Sequence, residues 1–245
     1  MTRYIVFDTE TTDVSPEKQA VEVALIELDA DLNILGEAQS LLCPTKAISA
    51  EALAVHGITI EMVSDKPTIE QWVEQEFGGR LEGEVTLIGH KVYFDAPLFA
   101  PIGDAQRVVD TLIHAQVTFP DAPNHKLATL KDFLGITTPG DAHRAMADVL
   151  TTHQLLKEIV ARSGRSFEAL CSIEKFFIHR MPWGKHEGKP LMAVPKQYRD
   201  WLLKKDIDPN LRYSLEEVGK MDIVLPKPRA FMGKHKIVIP KRAIK

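Results

Sequence analysis

Only two cysteines occur in the 245 residues, Cys43 and Cys171, and they stand too far apart to make a metal-binding spacing. Reduced, buried thiols in a cytosolic protein are the expectation. No apolar run approaches the roughly 18 residues that span a bilayer. No basic-then-apolar leader opens the chain, so a cytoplasmic protein with no membrane partner is expected. Internal repeats and low-complexity tracts are also missing. What remains is an ordinary globular composition, 44% hydrophobic, long enough for one large domain and a small one.

The net charge of -4 conceals an asymmetry. Residues 1–162 hold 12 Lys and Arg against 25 Asp and Glu, whereas residues 163–245 hold 18 against 9. The final twenty residues carry seven basic groups and no acid. An acidic, cation-collecting part joined to an anion-holding part fits this division.

Apolar runs and turn signals give a coarse map. Residues 3–8 read as a strand. Residues 20–29, AVEVALIELD, alternate apolar and acidic side chains and predict a half-exposed second strand. NILGEAQSLLCP predicts a third, and the short connections imply an antiparallel meander. A short helix follows, ended by Gly57, and then a helix opened by the capping box Thr68-x-x-Gln71 and closed at Gly78-Gly79. VTLIGH (85–90) reads as a buried strand, 95–102 as a helix with Pro97 in its first turn, and RVVD (107–110) as another strand. Helical spacing recurs over 111–116, 127–134 and 143–162. The expected fold class is α/β, a mixed sheet of antiparallel meander plus parallel strands with helices on its faces. Expected domains are residues 1–165, a small basic and aromatic module at 175–225, and a basic tail at 226–245.

The chemistry lies at the ends of these elements. The first strand runs into Asp8-Thr9-Glu10, and residues two apart on a strand point to one side. A second strand leads through GHKVYFD to Asp95 at the start of the next helix. HRAMADV places His143 and Asp148 five residues apart at a helix start, about 140° around it and so flanking a cleft. Alone, each piece is an ordinary strand end or helix cap; together they supply four carboxylates and one imidazole.

Two like charges ~4 Å apart repel by ~4 kcal/mol at an effective dielectric of ~20. Four converging carboxylates therefore need protons or cations. Oxygen ligands suit Mg²⁺ or Mn²⁺ rather than Zn²⁺. Two such ions ~4 Å apart serve in-line displacement at a phosphodiester. His143 is then the natural general base, because imidazole titrates near neutral pH.

FDTETTD, GHKVYFD and HRAMADV, in this order, resemble the three motifs of the DEDDh 3′→5′ exonucleases, which have a ribonuclease-H-like fold. The resemblance runs from Tyr4 to about Ile159. It implies that Asp8, Glu10, Asp95 and Asp148 bind two metal ions, that His143 activates water, and that Thr11 and His56 contact the last nucleotide. Phe94 and Lys91 fall within the second motif and are carried as substrate-binding positions. Two residues depart from the usual pattern: Lys91 stands where Asn is usual, and Asp13 where Gly is. Neither removes a ligand, and the Lys91 charge is suited to a phosphate.

In MPWGKHEGKPLMAVPKQYRDWLL the glycine-lysine pairs imitate a phosphate-binding loop. The glycines are four apart and Pro190 stands where a hydroxyl is required, so nucleotide hydrolysis is rejected. Trp183, Tyr198 and Trp201 are expected to pack a small core. Their neighbours Lys185, His186, Lys189, Lys196 and Arg199 also give the mixture that single-strand binders use. The segment resembles the C-terminal module of bacterial exonuclease X-like proteins.

The implied activity is release of 5′-mononucleotides from DNA 3′ ends, single strands favoured. RNA is the alternative substrate, and a catalytically silent nucleic-acid-binding module is the alternative from another class. No polymerase- or clamp-binding signature is visible, and no protein partner is indicated.

Overall fold

The structure, a computed structural model, describes residues 2–140, 143–172 and 178–224, with side chains up to 220. The basic tail expected at 226–245 lies outside the described residues. Three strands open the chain, β1 (Thr2–Thr11), β2 (Ala20–Leu28) and β3 (Ile34–Leu41). Helices α1 (Ala50–His56), α2 (Ile60–Val63) and α3 (Ile69–Phe77) follow, then β4 (Leu81–Gly89), α4 (Ala96–Phe99) and β5 (Gly103–Asp110). The rest is helical: α5 (Thr111–Thr118), α6 (Leu127–Leu134), α7 (Ala145–Ser163), α8 (Phe167–Cys171), α9 (Lys196–Leu202) and α10 (Pro209–Val224).

The five strands form one sheet in the order β3-β2-β1-β4-β5. β1, β2 and β3 pair antiparallel, and β1-β4 and β4-β5 pair parallel, giving the expected mixed sheet. Val6, Ala24, Ile26 and Ile88 face a core made with α7 and its neighbours. Ile5, Phe7, Val23, Leu25 and Leu87 face a second core made with Trp72, Val73 and Phe99. Both faces are thus covered. The half-exposed strand expected at 20–29 is corrected accordingly: β2 is buried along nearly its whole length, Glu22 included. Charge alternation resembles a solvated face because a paired, buried carboxylate carries the same letter as an exposed one.

Capping chemistry sets several boundaries. The Thr68 hydroxyl accepts the Gln71 N–H, and the Gln71 side chain accepts the Thr68 N–H, completing the expected capping box. The helix expected over 95–102 is shorter: a 3₁₀ turn at Val92–Phe94 is followed by the single turn of α4. Gly89 makes that turn possible, because a Cβ there would lie 2.9 Å from Val92 Cγ2 and 3.2 Å from the Phe7 carbonyl oxygen.

The C-terminal unit has its own apolar cluster, with Ile178, Met181, Leu191, Val194, Leu202, Leu211 and Leu215 at its centre. Ile113 of α5 joins this cluster, and Trp183 and Tyr198 pack against it. A hydrogen bond from the Tyr93 hydroxyl to the Asp208 carboxylate also links the two parts. Among the described residues no helix is long and apolar enough to cross a membrane.

Candidate active site

The parallel ladder between β1 and β4 ends at Val6 and Ile88, while the antiparallel ladder with β2 continues to Thr11 and Ala20. Past Val6, β1 therefore has an open edge. Chain connections also diverge there, β1 leading to β2 on one side and β4 to β5 on the other. Such switch points form the ligand crevices of open α/β sheets. Asp8 and Glu10 stand at this place, and the turn after β4 brings Asp95 to it.

Asp95 is buried and fills the open edge, its carboxylate accepting the Thr9 hydroxyl and the Thr9 backbone N–H. Glu10 lies across the strand pair from Glu22. Asp148, in the first turn of α7, accepts the backbone N–H of His143. Ligand atoms of Glu10, His143 and Asp148 lie within 4.8 Å of one another.

The expectation that His143 shares a helix with Asp148 is corrected here. His143 precedes the Arg144 N-cap and has φ 62°, a left-handed conformation that turns it back over the Asp148 carboxylate. The 140° separation assumed for a helical pair does not apply, and the two side chains converge instead of flanking a cleft.

Electrostatics reflect the crowding. Burial pushes the Asp8 carboxyl well above its usual range, with the charges of Asp95, Asp148, Glu10 and Glu22 adding to the effect. Glu10 is pushed up to about 8 by burial and by Asp148, Glu22 and Asp95, with Arg144 opposing. Asp95 rises to about 7 through burial, opposed by its Thr9 bonds, Lys18 and Lys91. Burial also raises Asp148, with His143 opposing. This is a donor set short of positive charge. Its oxygen-rich chemistry suits a hard divalent cation, and Glu10, Asp148 and His143 already stand at ligand spacing.

Two residues that hold the site were not singled out in the sequence. Glu22 is 4% exposed and accepts three hydrogen bonds from the Arg144 guanidinium, of 3.1, 3.1 and 2.6 Å, and a fourth from the Ala145 N–H. It thereby pins the start of α7, with His143 on one side and Asp148 on the other. Asp110 accepts the Lys91 and Leu112 N–H groups, tying the turn after β4 to the start of α5. Glu22 has one signal in the sequence, its place beside an apolar run; its partner 122 residues away is visible only in the fold.

The expected substrate-binding positions are placed as follows. The Thr11 hydroxyl donates to the Asp13 carbonyl oxygen. His56 is buried, its Nδ1 accepting the Ile58 N–H and its Nε2 donating to the Thr11 carbonyl oxygen, so it fastens α1 to the end of β1. Lys91 adopts φ 65°, where Asn is tolerated better than Lys. Phe94 lies half-buried beside Asp95. Asp13 has no positive φ and needs no glycine. Its carboxylate accepts the Ser15 N–H and pairs with Lys46 at 2.8 Å, fixing the loop between β1 and β2. In the C-terminal unit Trp201 is 48% exposed, flanked by Tyr198 and by the Lys205 ammonium.

A ribonuclease-H-like sheet with carboxylates gathered at its switch point defines a phosphodiester-cleaving nuclease. Residues 5–156 match the RNase_T exonuclease family, and the chain belongs to it, as a DEDD-type 3′→5′ exonuclease. Exodeoxyribonuclease 10 of Escherichia coli (strain K12) is 28% identical over 221 residues, covering 86% of this chain and 96% of that protein. The DNA polymerase III subunit epsilon-like protein of Rhodobacter capsulatus is 34% identical over 181 residues, 68% of this chain and 25% of its own length. The structure of exonuclease X in complex with 5′ overhanging duplex DNA matches with a TM-score of 0.55 and 28% identity, over 70% of this chain and 98% of that one.

Proposed function

We propose that this chain is a metal-dependent exodeoxyribonuclease that removes 5′-mononucleotides from DNA 3′ ends, with single strands preferred. The observation that carries the reading is the convergence of Asp8, Glu10, Asp95, Asp148 and His143 at the open end of β1. Carboxylates crowded enough to be pushed toward neutrality belong to a site that gathers cations.

Asp8, Glu10, Asp95 and Asp148 are the residues that would hold two Mg²⁺ or Mn²⁺ ions. When bound, such ions supply Lewis-acid stabilisation of the charge that develops at the phosphodiester. His143 is exposed and unencumbered by helix geometry, and its imidazole takes the proton of the attacking water. Asp148 orients it through the bond to its backbone N–H. Arg144 and Glu22 keep that segment in place. Thr11 and His56 spend their polar atoms on the protein, so they shape the floor beneath the terminal nucleotide instead of hydrogen-bonding to it.

In this reading residues 1–165 cut, while the 175–225 module and the basic 226–245 tail hold the strand. The exposed Trp201 with Lys205 supports that role, as an aromatic face with a neighbouring cation suits a stacked base. The two free cysteines support a reducing, cytoplasmic setting. DNA is favoured over RNA by the kinship with exodeoxyribonuclease 10.

The test uses 5′-labelled DNA and RNA oligomers of one sequence, with Mg²⁺, Mn²⁺ or EDTA. Stepwise shortening of DNA from its 3′ end, stopped by EDTA, is expected. Asp8→Ala and His143→Ala are expected to abolish trimming while DNA binding persists. Faster trimming of RNA would overturn the substrate assignment, and a fully active Asp8→Ala variant would overturn the site.

A further inference from the structure

Two ammonium groups share one aromatic ring at the Asp95 flank of the site. Lys18 Nζ is 4.3 Å from the centroid of the Phe94 ring, and Lys91 Nζ is 5.7 Å from it. They come from separate parts of the chain, Lys18 from the loop between β1 and β2 and Lys91 from the turn after β4. Among the described residues neither forms an ion pair with a carboxylate within 4 Å. The charge of each reaches Asp95.

Gathering two like charges on one ring is unfavourable unless something anionic answers them. A ring face offsets part of that cost, since cations are attracted to its negative quadrupole. Asp95 supplies one negative charge, already shared with the Thr9 bonds and with its work in the cation site. Lys91 moreover keeps a left-handed backbone that Asn would adopt more readily, and strain retained beside a site is a mark of function. The anion these two groups fit is a phosphate. It is not the scissile one, which belongs with the cations that Asp8, Glu10, Asp95 and Asp148 would hold.

We propose that Lys18 and Lys91 form a two-pronged clamp, spaced by Phe94, for a non-scissile backbone phosphate of the strand. The inference rests on the exonuclease reading above and adds a subsite to it. A strand gripped one phosphate away from the cut is held in line with the carboxylates. A substrate without a second phosphate gains nothing from the clamp.

The test compares wild type, Lys18→Gln, Lys91→Asn and the double variant. Asn suits the left-handed turn, so Lys91→Asn removes the charge without disturbing the backbone, and unchanged melting temperature checks this. Binding of a single-stranded DNA oligomer is measured by fluorescence anisotropy in Ca²⁺ across a salt series. Trimming of the same oligomer is measured beside hydrolysis of the p-nitrophenyl ester of thymidine 5′-monophosphate, which carries one phosphate only. Each single substitution is expected to weaken oligomer binding severalfold and to lower the slope of log K against log salt by about 1, independently of sequence. The double variant should lose at least about tenfold more on the oligomer than on the ester, mostly through KM, as expected for a charge-assisted contact of about 1.5 kcal/mol. Equal losses on both substrates would place the lysines at the reacting phosphate and overturn the clamp, as would unchanged oligomer binding and salt slope. A wild-type protein that trims neither substrate would instead overturn the exonuclease reading, and the clamp with it.

Discussion

Replacing Glu22 tests whether the third motif is held in place from the neighbouring strand β2. Glu22 makes four hydrogen bonds, three of them charge-assisted from Arg144, and is nearly inaccessible to water. Breaking a buried ion pair by removing one partner costs about 3–5 kcal/mol. The Arg144 side chain is 46% exposed and can turn to solvent, so about 2–3 kcal/mol is expected for Glu22→Ala. For a chain of this length that lowers the melting temperature by roughly 4–12 °C. Activity should suffer more than stability, because a displacement of about 1 Å in a catalytic group can cost about 10²-fold in rate. The loss should fall on kcat, since Glu22 holds the segment carrying His143 and Asp148 and no substrate contact. A second effect runs the other way. The Glu22 charge helps raise both Asp8 and Glu10. Glu22→Gln should therefore move the acid limb of the pH-rate profile to lower pH even as kcat falls. Thermal melts, kcat at saturating oligomer and the pH profile are the assays, with a double-mutant cycle against Arg144→Ala to isolate the pair. Additive effects in that cycle, or wild-type kcat in Glu22→Gln, would refute the reasoning.

Without divalent cations the folded protein should lose stability as pH rises. Glu10 and Asp95 titrate at about 8 and about 7 when folded and near 4 when unfolded, so the native state binds the extra protons between those limits and gives them up as pH climbs. Melting temperature in EDTA should fall from pH 5 to pH 8, and Mg²⁺ should flatten the decline; a rise in EDTA over that window would contradict the crowding described here. Gly89→Ala should destabilise by about 1–3 kcal/mol and depress kcat, because the added Cβ forces Val92 or the Phe7 carbonyl aside and moves the turn that carries Asp95. Denaturant unfolding and kcat together check this, and a neutral result would mean the turn relaxes freely. Tyr93→Phe removes one bond to the buried Asp208 carboxylate, which keeps those from Asn210 and Leu211. A loss of about 1–2 kcal/mol is expected, read as faster proteolysis of the C-terminal unit than of the sheet domain; equal rates would separate the strut from the docking of that unit.

The parts of this architecture legible in sequence are those governed by local rules. The capping box at Thr68 and Gln71, the span of α6 and the same-side placement of Asp8 and Glu10 all follow from short-range chemistry and appear as expected. What escaped is long-range or depends on backbone sign. Alternation along β2 cannot tell a sheet covered on both faces from one half in water, so the pattern at 20–29 predicts a half-exposed strand where the fold buries one, Glu22 included. The left-handed residue at His143 broke the helical reading of its spacing to Asp148. Lys18 looks like any loop lysine until the fold sets it over a ring 76 positions away.

β1 and β4 part company after Val6 and Ile88, and the fold leaves that seam unzipped. The chemistry occupies the gap, with Asp95 plugged into a backbone position that one more rung of strand pairing would have claimed. An insertion lengthening β4 by two residues in register would therefore close the sheet over its own reaction centre, yielding a sturdier protein and an idle one.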